Sequence, residues 1–268
     1  MISLAFSERI KVSKNMSKRI IEKITKEPTV CFNSELVFLP TDLQKKIDDH
    51  WKELLRSGRK YFNGEVFSLT KLEQKNSKIS ITVQKTNFAH FLYTRNTERK
   101  LGKYRLRTVF ASCLIITSDN KIILGKMGEH TSLAGRYQLV GGGLDDNDLK
   151  GDIFDMKHSA VKELGEELGI NASNKDIVRK FKVAYLKTGG SENVAIIYRV
   201  ELNKTAEEML KYYKKFEKDL KKKGETPEFS EVIALPQNRK DVEKFINDNK
   251  DTIANYLPAV LQQAVKDN

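Results

Sequence analysis

Short apolar runs alternate with amphipathic segments from residue 108 to residue 268, and this alternation constrains the fold more than any other feature. The apolar runs predict strands at residues 108–117, 121–127, 136–140, 180–188, 193–202 and 231–236. Apolar residues at helical spacing predict helices at residues 152–168, 205–223, 241–247 and 251–266. Strands that alternate with helices favour a sheet covered on both faces, so we predict an α/β fold.

The residues before 105 follow a different pattern, which predicts a smaller α+β subdomain. Helices are predicted at residues 18–26 and 42–56, the second with an apolar stripe that includes Trp51. Two strands follow, introduced by the Asn63-Gly64 turn and separated by a polar turn at residues 74–77. The stretch from 94 to 107 is polar and basic, so we place the boundary there and divide the chain into residues 1–104 and 105–268.

The formal net charge of +12 is concentrated in the first part of the chain. Lys and Arg outnumber Asp and Glu by 21 to 11 over residues 1–104, and by 27 to 25 over residues 105–268. Such a positive field favours anionic partners such as nucleotides, nucleic acid or a membrane surface. A lysine-rich solvated surface is the alternative interpretation of the same charge.

Composition predicts a folded cytoplasmic protein. Hydrophobic residues make up 39% of the chain and charged residues 31%, with 15 Gly and 5 Pro, which is typical of globular proteins. Cys31 and Cys113 lie in apolar runs, as expected for buried free thiols in a reducing compartment. No stretch approaches the ~18 apolar residues of a membrane span, and we predict no membrane partner.

Three glutamates share one flank of the predicted helix at 152–168. Glu163 lies three residues before Glu166 and four before Glu167, and Glu167 falls at the edge of the apolar stripe. Like charges at these spacings repel by about 0.2–0.5 kcal/mol per pair, and Gly165 costs about 1 kcal/mol relative to alanine. The flank is either a solvated acidic surface paired with lysines or a functional site that offsets these costs.

A divalent-cation site would explain the three glutamates. Mg²⁺ prefers oxygen ligands, takes few carboxylates and leaves its other positions to water and substrate phosphates. Glycines 141, 142 and 143 precede the helix, and the backbone amides of a glycine-rich loop can approach a phosphate closely. The pattern therefore predicts a site where a metal ion and phosphate groups meet.

The stretch from Lys162 to Ile170, KELGEELGI, resembles the second half of the Nudix box. The box reads G, five residues, E, seven residues, then R-E-U-x-E-E-x-G-U, where U is aliphatic; lysine replaces the arginine here. The first half departs from this pattern. Gly142 matches the box glycine, but six extra residues precede Lys162, and Phe154 stands where the glutamate is expected. Asp152 or Asp155 would then replace that acid.

The region before residue 105 is similar to the Nudix branch that cleaves UDP-glucose and UDP-galactose, in its tryptophan helix, its phenylalanine-containing turn and its Phe-Leu-x-Thr segment at 91–94. The resemblance implies a Nudix-type α/β/α sandwich with a mixed sheet. It also implies Mg²⁺-dependent or Mn²⁺-dependent hydrolysis of a nucleoside diphosphate-linked small molecule, here a UDP-sugar, to UMP and a sugar 1-phosphate.

The resemblance assigns roles to particular residues. Glu163, Glu166 and Glu167 would hold the metal, with Glu163 and Glu167 as the catalytic pair and Glu163 accepting a proton from water. Glu228 or Glu231 would supply a further acid. Gly142, Arg136 and Lys126 are the predicted phosphate-binding residues.

Several alternatives stay open at this level. The aromatic residues Phe88, Phe91 and Tyr93, predicted on a strand, would line a base or sugar pocket or belong to the core. The substrate could instead be ADP-ribose or another nucleoside diphosphate derivative. A non-catalytic nucleotide-binding or nucleic-acid-binding protein on the same scaffold is the competing class, and a homodimer is compatible with the sequence.

Overall fold

A computed structural model describes residues 19–59, 61–75, 78–96, 101–131, 133–189 and 193–268. The strands in these residues are β1 (Arg19–Lys23), β2 (Thr29–Leu36), β3 (Glu65–Lys75), β4 (Lys78–Asn87), β5 (Val109–Ile116), β6 (Lys121–Met127), β7 (Tyr137–Gln138), β8 (Val140–Gly143), β9 (Leu149–Lys150), β10 (Ile153–Phe154), β11 (Val178–Gly189), β12 (Val194–Leu202) and β13 (Phe229–Pro236). The helices are α1 (Thr41–Arg56), α2 (Phe88–Asn96), α3 (Met156–Leu168), α4 (Ala206–Lys222), α5 (Arg239–Asp248) and α6 (Leu257–Lys266). None of the helices in these described ranges is long and apolar enough to cross a membrane.

The larger sheet forms the middle layer of a sandwich. Its main strand order is β1-β11-β12-β5-β6-β13, with β7 paired to β6 and β8 to β5. The pair β12–β5 is parallel and its neighbours are antiparallel, so the sheet is mixed. Alternate residues of the strands pack against α3 and α4 on one face and against α5 and α6 on the other. The predicted α/β/α sandwich with a mixed sheet is confirmed.

The smaller sheet has the strand order β3-β4-β2-β10-β9. Helices α1 and α2 pack together beside it through a small core of Ile47, Ala89 and Tyr93. Each sheet contains strands from both the early and the late part of the sequence. The early strand β1 joins the larger sheet by pairing with β11, whereas β9 and β10 join the smaller sheet by pairing with each other and with β2. The division of the chain at residues 104 and 105 stays a prediction.

Two predictions about the first hundred residues are wrong. The segment predicted as a basic helix at 18–26 contains the strand β1, because Arg19 to Lys23 hydrogen-bond along the edge of β11 over five residues. The segment that contains Phe88, Phe91 and Tyr93 is the helix α2 rather than a strand. Its first turn is held by side chains, since Asn63 and Asn87 accept hydrogen bonds from the amides of residues 89 and 90.

Helix α3 begins at Met156, four residues later than predicted. Asp155 caps its first turn by accepting a hydrogen bond from the His158 amide. The residues before it are extended because β10 pairs with Cys31 and Val30 of β2. Phe154 is buried there, with its ring 4.8 Å from that of Phe67. This residue, which occupies the expected position of an acid, is a core residue that joins the helix to the smaller sheet.

Candidate functional site

The end of α3 packs against the glycine strand β8 through two glutamates. Glu167 is 2% exposed, and its Oε2 accepts a hydrogen bond of 2.8 Å from the Gly141 amide. The Glu163 carboxylate lies so close to Gly142 that a Cβ at that position would collide with it. Strand β8 pairs with β5, the central strand of the sandwich. The contact therefore places both carboxylates on a rigid part of the fold.

Within the described residues, neither glutamate forms an ion pair of its own: the charge of Lys162 lowers the pKa of Glu163, but the Lys162 ammonium pairs with Asp145 and Asp148. The second oxygen of Glu167, Oε1, is buried and has no hydrogen-bond partner within the described part of the chain. Burial raises the pKa of Glu167 well above its usual value, and the negative charges of Glu228 and Glu163 raise it further. Burial, with the charge of Glu166, raises the pKa of Glu163 to about 7. Uncompensated buried carboxylates are typical of sites that bind a cation.

Glu228 belongs to the same acidic group. It lies just before β13, and its backbone carbonyl accepts a hydrogen bond of 2.8 Å from the Gly128 amide. Burial raises the pKa of the Glu228 carboxylate, with a contribution from Glu166 that the nearby His130 opposes. Glu166 itself is exposed at the rim. The structure thus brings together the three predicted glutamates and Glu228, which we name the acidic group.

The other candidate acids lie elsewhere. Glu231 accepts a hydrogen bond of 3.0 Å from the Tyr137 hydroxyl. Asp152 is exposed in the turn between β9 and β10, and Asp155 caps α3 while its carboxylate pairs with Lys150 at 2.7 Å. None of these three carboxylates has a described contact with the acidic group, and the expectation that Asp152 or Asp155 lies beside Glu163 or Glu166 fails because both residues precede the helix.

Asp148 is a buried acid beside the glycine loop that the sequence analysis did not single out. It is completely buried, and its carboxylate pairs with Lys162 at 3.1 Å. Asp145 also contacts Lys162, and although burial opposes it, hydrogen bonding to the two aspartates raises the pKa of Lys162. Five residues separate Gly142 from Asp148, so Asp148 has the spacing of the acid in the motif that this stretch resembles. Counted in this way, the extra residues fall between Asp148 and Lys162, whereas Phe154 is a core residue.

The predicted phosphate-binding residues separate into two groups. Gly142 and Arg136 line the cavity beside the acidic group. Lys126 lies outside the cavity lining, with its ammonium 5.5 Å from the centre of the Tyr137 ring. Its neighbour Met127 lines the cavity, and adjacent strand residues face opposite sides of a sheet. The geometry therefore brings Arg136 to the acids and leaves Lys126 on the other face of β6.

The cavity has a volume of about 700 Å³ and extends from β8 to the first hundred residues of the chain. At one end it is lined by residues 141–143 and by Glu228. At the other end it is lined by Phe88, Phe91 and Arg95 of α2 and by Arg105. A space of this size accommodates a small molecule with a charged end and an aromatic or sugar group.

The donor chemistry of the acidic group fits a hard divalent cation such as Mg²⁺ or Mn²⁺. The group offers oxygen ligands only, and the unpartnered Oε1 of Glu167 gains from a bound cation. In the described residues, no three acidic, histidine or cysteine side chains converge on one metal position. Binding would therefore draw the carboxylates of Glu163, Glu166 and Glu167 closer together.

Comparison with known proteins gives weak similarities. No protein-family model matches the chain, and no curated protein matches it. The MutT protein from Methanosarcina mazei Go1 is 15% identical, with a TM-score of 0.36, over 60% of this chain and 95% of that chain. A NUDIX-family hydrolase from Clostridium perfringens is 14% identical, with a TM-score of 0.35, over 60% and 97%. The NUDIX domain of Shewanella oneidensis NrtR, complexed with ADP ribose, is 12% identical, with a TM-score of 0.34, over 66% and 96%. Similarities of this size assign no function, so we base the proposal below on the geometry.

Proposed function

We propose that the protein is a divalent-cation-dependent hydrolase that cleaves the diphosphate linking a nucleoside to another group. One observation carries this proposal: α3 places Glu163 and Glu167 against the backbone of β8, and in the described residues neither carboxylate has an ion pair of its own. Keeping such carboxylates buried costs free energy unless a ligand offsets it. A metal ion with substrate phosphates would supply the missing positive charge.

Each residue of the site has a distinct task in this reaction. Glu163, Glu166 and Glu167 would hold Mg²⁺ or Mn²⁺, which when bound neutralises charge on the phosphates and acidifies water. Glu163 would also accept the proton that water loses. Arg136 would bind a phosphate oxygen at the mouth of the cavity. The backbone at Gly142 lets Glu163 approach, which any side chain there would prevent.

For the substrate we propose a UDP-sugar, cleaved to UMP and a sugar 1-phosphate. The resemblance of the first hundred residues to the UDP-glucose and UDP-galactose branch supports this choice, and residues of that region line the cavity. ADP-ribose, the ligand of the Shewanella NrtR domain, is the alternative with equal support. Both substrates present a diphosphate between two larger groups, as the cavity requires.

A substrate panel tests the proposal. We would incubate the protein with Mg²⁺ and UDP-glucose, UDP-galactose, ADP-ribose, a dinucleoside polyphosphate or an oxidised nucleoside triphosphate, and quantify the phosphate esters released. We expect UMP and glucose 1-phosphate from UDP-glucose. Cleavage of ADP-ribose with intact UDP-glucose would replace the UDP-sugar assignment by the alternative.

The same panel separates the enzyme from a non-catalytic binding protein. If no compound is cleaved, binding of RNA or DNA that weakens steeply with salt would favour the nucleic-acid-binding class. Such a dependence reports contacts between basic residues and phosphates, which the excess of positive charge in residues 1–104 could provide.

A further inference from the structure

The end of the cavity remote from the acidic group is cationic. Arg95, Arg105 and Lys187 line it together with the ring of Phe91, and we call these four residues the far wall. Glu65 also lines the cavity, but its carboxylate accepts a hydrogen bond of 2.9 Å from Lys85. The metal site, which needs negative side chains, does not explain why basic residues line this end.

Three hydrogen bonds connect the segments that carry the far wall. The Leu106 amide donates to Thr94 Oγ1 of α2, and the Thr108 amide donates to Asn193 Oδ1 at 3.1 Å. Lys187 Nζ donates to the backbone carbonyl of Asn193, which completes the connection between α2 and the larger sheet. Because these hydrogen bonds hold the far wall in place, binding of a ligand there loses little conformational entropy of the protein.

Helix α2 is fixed to the segment that carries Arg105 by a buried histidine. His90 is 1% exposed, and its Nε2 lies 3.0 Å from the Tyr104 carbonyl while its Nδ1 lies 3.0 Å from Thr86 Oγ1. Burial lowers the pKa of His90, so the ring is neutral and donates from Nε2 to the carbonyl. This contact sets the position of Arg105, the next residue.

Arg105 is the residue of the far wall that offers a free hydrogen-bond donor. Its Nε is buried and has no acceptor in the described ranges of the chain. A buried guanidinium donor without an acceptor costs free energy, and an oxygen of a bound ligand would remove that cost. Arginine is the side chain best suited to carboxylate and phosphate, because its donors match two oxygens at once.

Lys187, one residue of the far wall, lies three strands away from the glycine strand β8. Across the larger sheet, Lys187 pairs with Ala195, Ala195 with Phe110 and Phe110 with Gly143. Three steps between adjacent strands amount to about 14 Å. A ligand that reached both ends would hold one anionic group at β8 and a second one at the far wall.

We propose that the far wall binds a second anionic group of the substrate, a carboxylate or a phosphate carried by a group attached to the diphosphate. Arg105 is the residue that determines this specificity. The inference rests on the proposed function, because it takes the acidic group as the place of the cleaved diphosphate. Among the nucleoside diphosphate derivatives of the proposed function, it predicts a preference for those that carry an additional acid.

The test uses phosphate monoesters, which contain no diphosphate bond to cleave. Affinity is therefore measured whether or not the protein is a hydrolase. Calorimetry in the presence of Mg²⁺ would compare glucuronic acid 1-phosphate with glucose 1-phosphate, and adenosine 2′,5′-bisphosphate with AMP. The first pair differs by a carboxylate and the second by a phosphate, so the two sources of the anion are distinguished. We expect the more acidic member of one pair to bind about tenfold more tightly, as a charge-assisted hydrogen bond would provide.

Substitutions assign the preference to Arg105. We expect Arg105→Gln to remove the tenfold difference and Arg105→Lys, which keeps the charge, to restore part of it. Arg239→Gln is the matched control, because Arg239 pairs with Glu243 on the exposed surface of α5. Equal affinities within both pairs, or a preference that persists in a folded Arg105→Gln protein, would overturn the inference. A preference without hydrolysis of any diphosphate would overturn the proposed function alone.

Discussion

Two groups of carboxylates lie between the glycine strand β8 and α3, each with one fully buried member, and they differ in whether a cation pairs with them. Asp145 and Asp148 both contact the ammonium of Lys162. Glu163, the next residue, faces the backbone of Gly142, and Glu167 faces the Gly141 amide. Asp145 and Asp148, which pair with Lys162, form the compensated group. Glu163 and Glu167 form the uncompensated group. A buried carboxylate with a cationic partner indicates a structural role. A buried carboxylate without such a partner indicates a binding or catalytic site.

Replacing Glu167 by glutamine is the strongest test of the uncompensated group. We expect Glu167→Gln to lower kcat by a factor on the order of 10²–10³, because the substitution removes a carboxylate that would hold the ion that neutralises the developing charge. The amide oxygen can still accept from Gly141, so the melting temperature should stay the same or rise. Steady-state kinetics on the substrate from the panel, with calorimetric melting, measures both.

Glu231→Gln provides the control for this substitution. Glu231 is an exposed residue of β13 whose carboxylate accepts from Tyr137 outside the cavity lining, so we expect kcat to change less than about twofold, as for a surface substitution. Full activity of a folded Glu167→Gln protein would show that Glu167 has no part in the reaction.

The sequence could predict the uncompensated group because its signals are local. Glu163, Glu166 and Glu167 lie within two turns of one helix, so their common flank follows from 3.6 residues per turn. The alternation of strands and helices after residue 108 likewise predicts the sandwich. Phe154 and Asp148 could not be placed in this way, because the position of the insertion depends on pairing between β10 and β2, residues far apart in sequence.

The errors in the first hundred residues have the same origin. Residues 19–23 are extended because the edge of β11 is available to them, and nothing within that short segment indicates a partner more than 160 residues away. The contribution of Lys187 to the cavity also requires the tertiary fold, since its strand pattern alone indicates only a sheet residue. Local periodicity predicts which side of a helix or strand is apolar. Pairing between distant segments decides which elements pack against each other.

The uncompensated group should also make the metal-free protein less stable as pH rises. The pKa of Glu163 is about 7 in the folded protein against 4.5 as its ordinary value, so between these pH values the unfolded chain releases a proton that the folded protein keeps. Stability is then fully present below pH 4.5 and falls until about pH 7, by up to about 3 kcal/mol for this shift. Urea denaturation in EDTA from pH 4.5 to 8 measures the decrease.

The Glu163→Gln protein isolates this contribution. His90, whose pKa is lowered by burial, changes stability in the opposite direction as pH rises, but it does so equally in both proteins. We therefore expect the difference between wild type and variant to grow from pH 4.5 to 7. Mg²⁺ should reduce the difference, because a bound cation favours the ionised carboxylate. A difference that is constant with pH would contradict the assigned burial of an ionisable Glu163.

Substitutions in the compensated group should lower the free energy of unfolding more than they lower kcat. Asp148→Asn leaves the buried Lys162 with only Asp145, so we expect the free energy of unfolding to fall by about 2 kcal/mol, less than for loss of a sole partner. Asp155→Ala, which removes the cap of α3 and an ion pair with the exposed Lys150, should cost about 1 kcal/mol, mostly through the cap. Per folded molecule, both variants should keep kcat within about tenfold of wild type, since neither aspartate is in the acidic group. A kcat for Asp148→Asn as low as that of Glu167→Gln would erase the distinction between the two groups, because Lys162 would then act through Glu163 in catalysis.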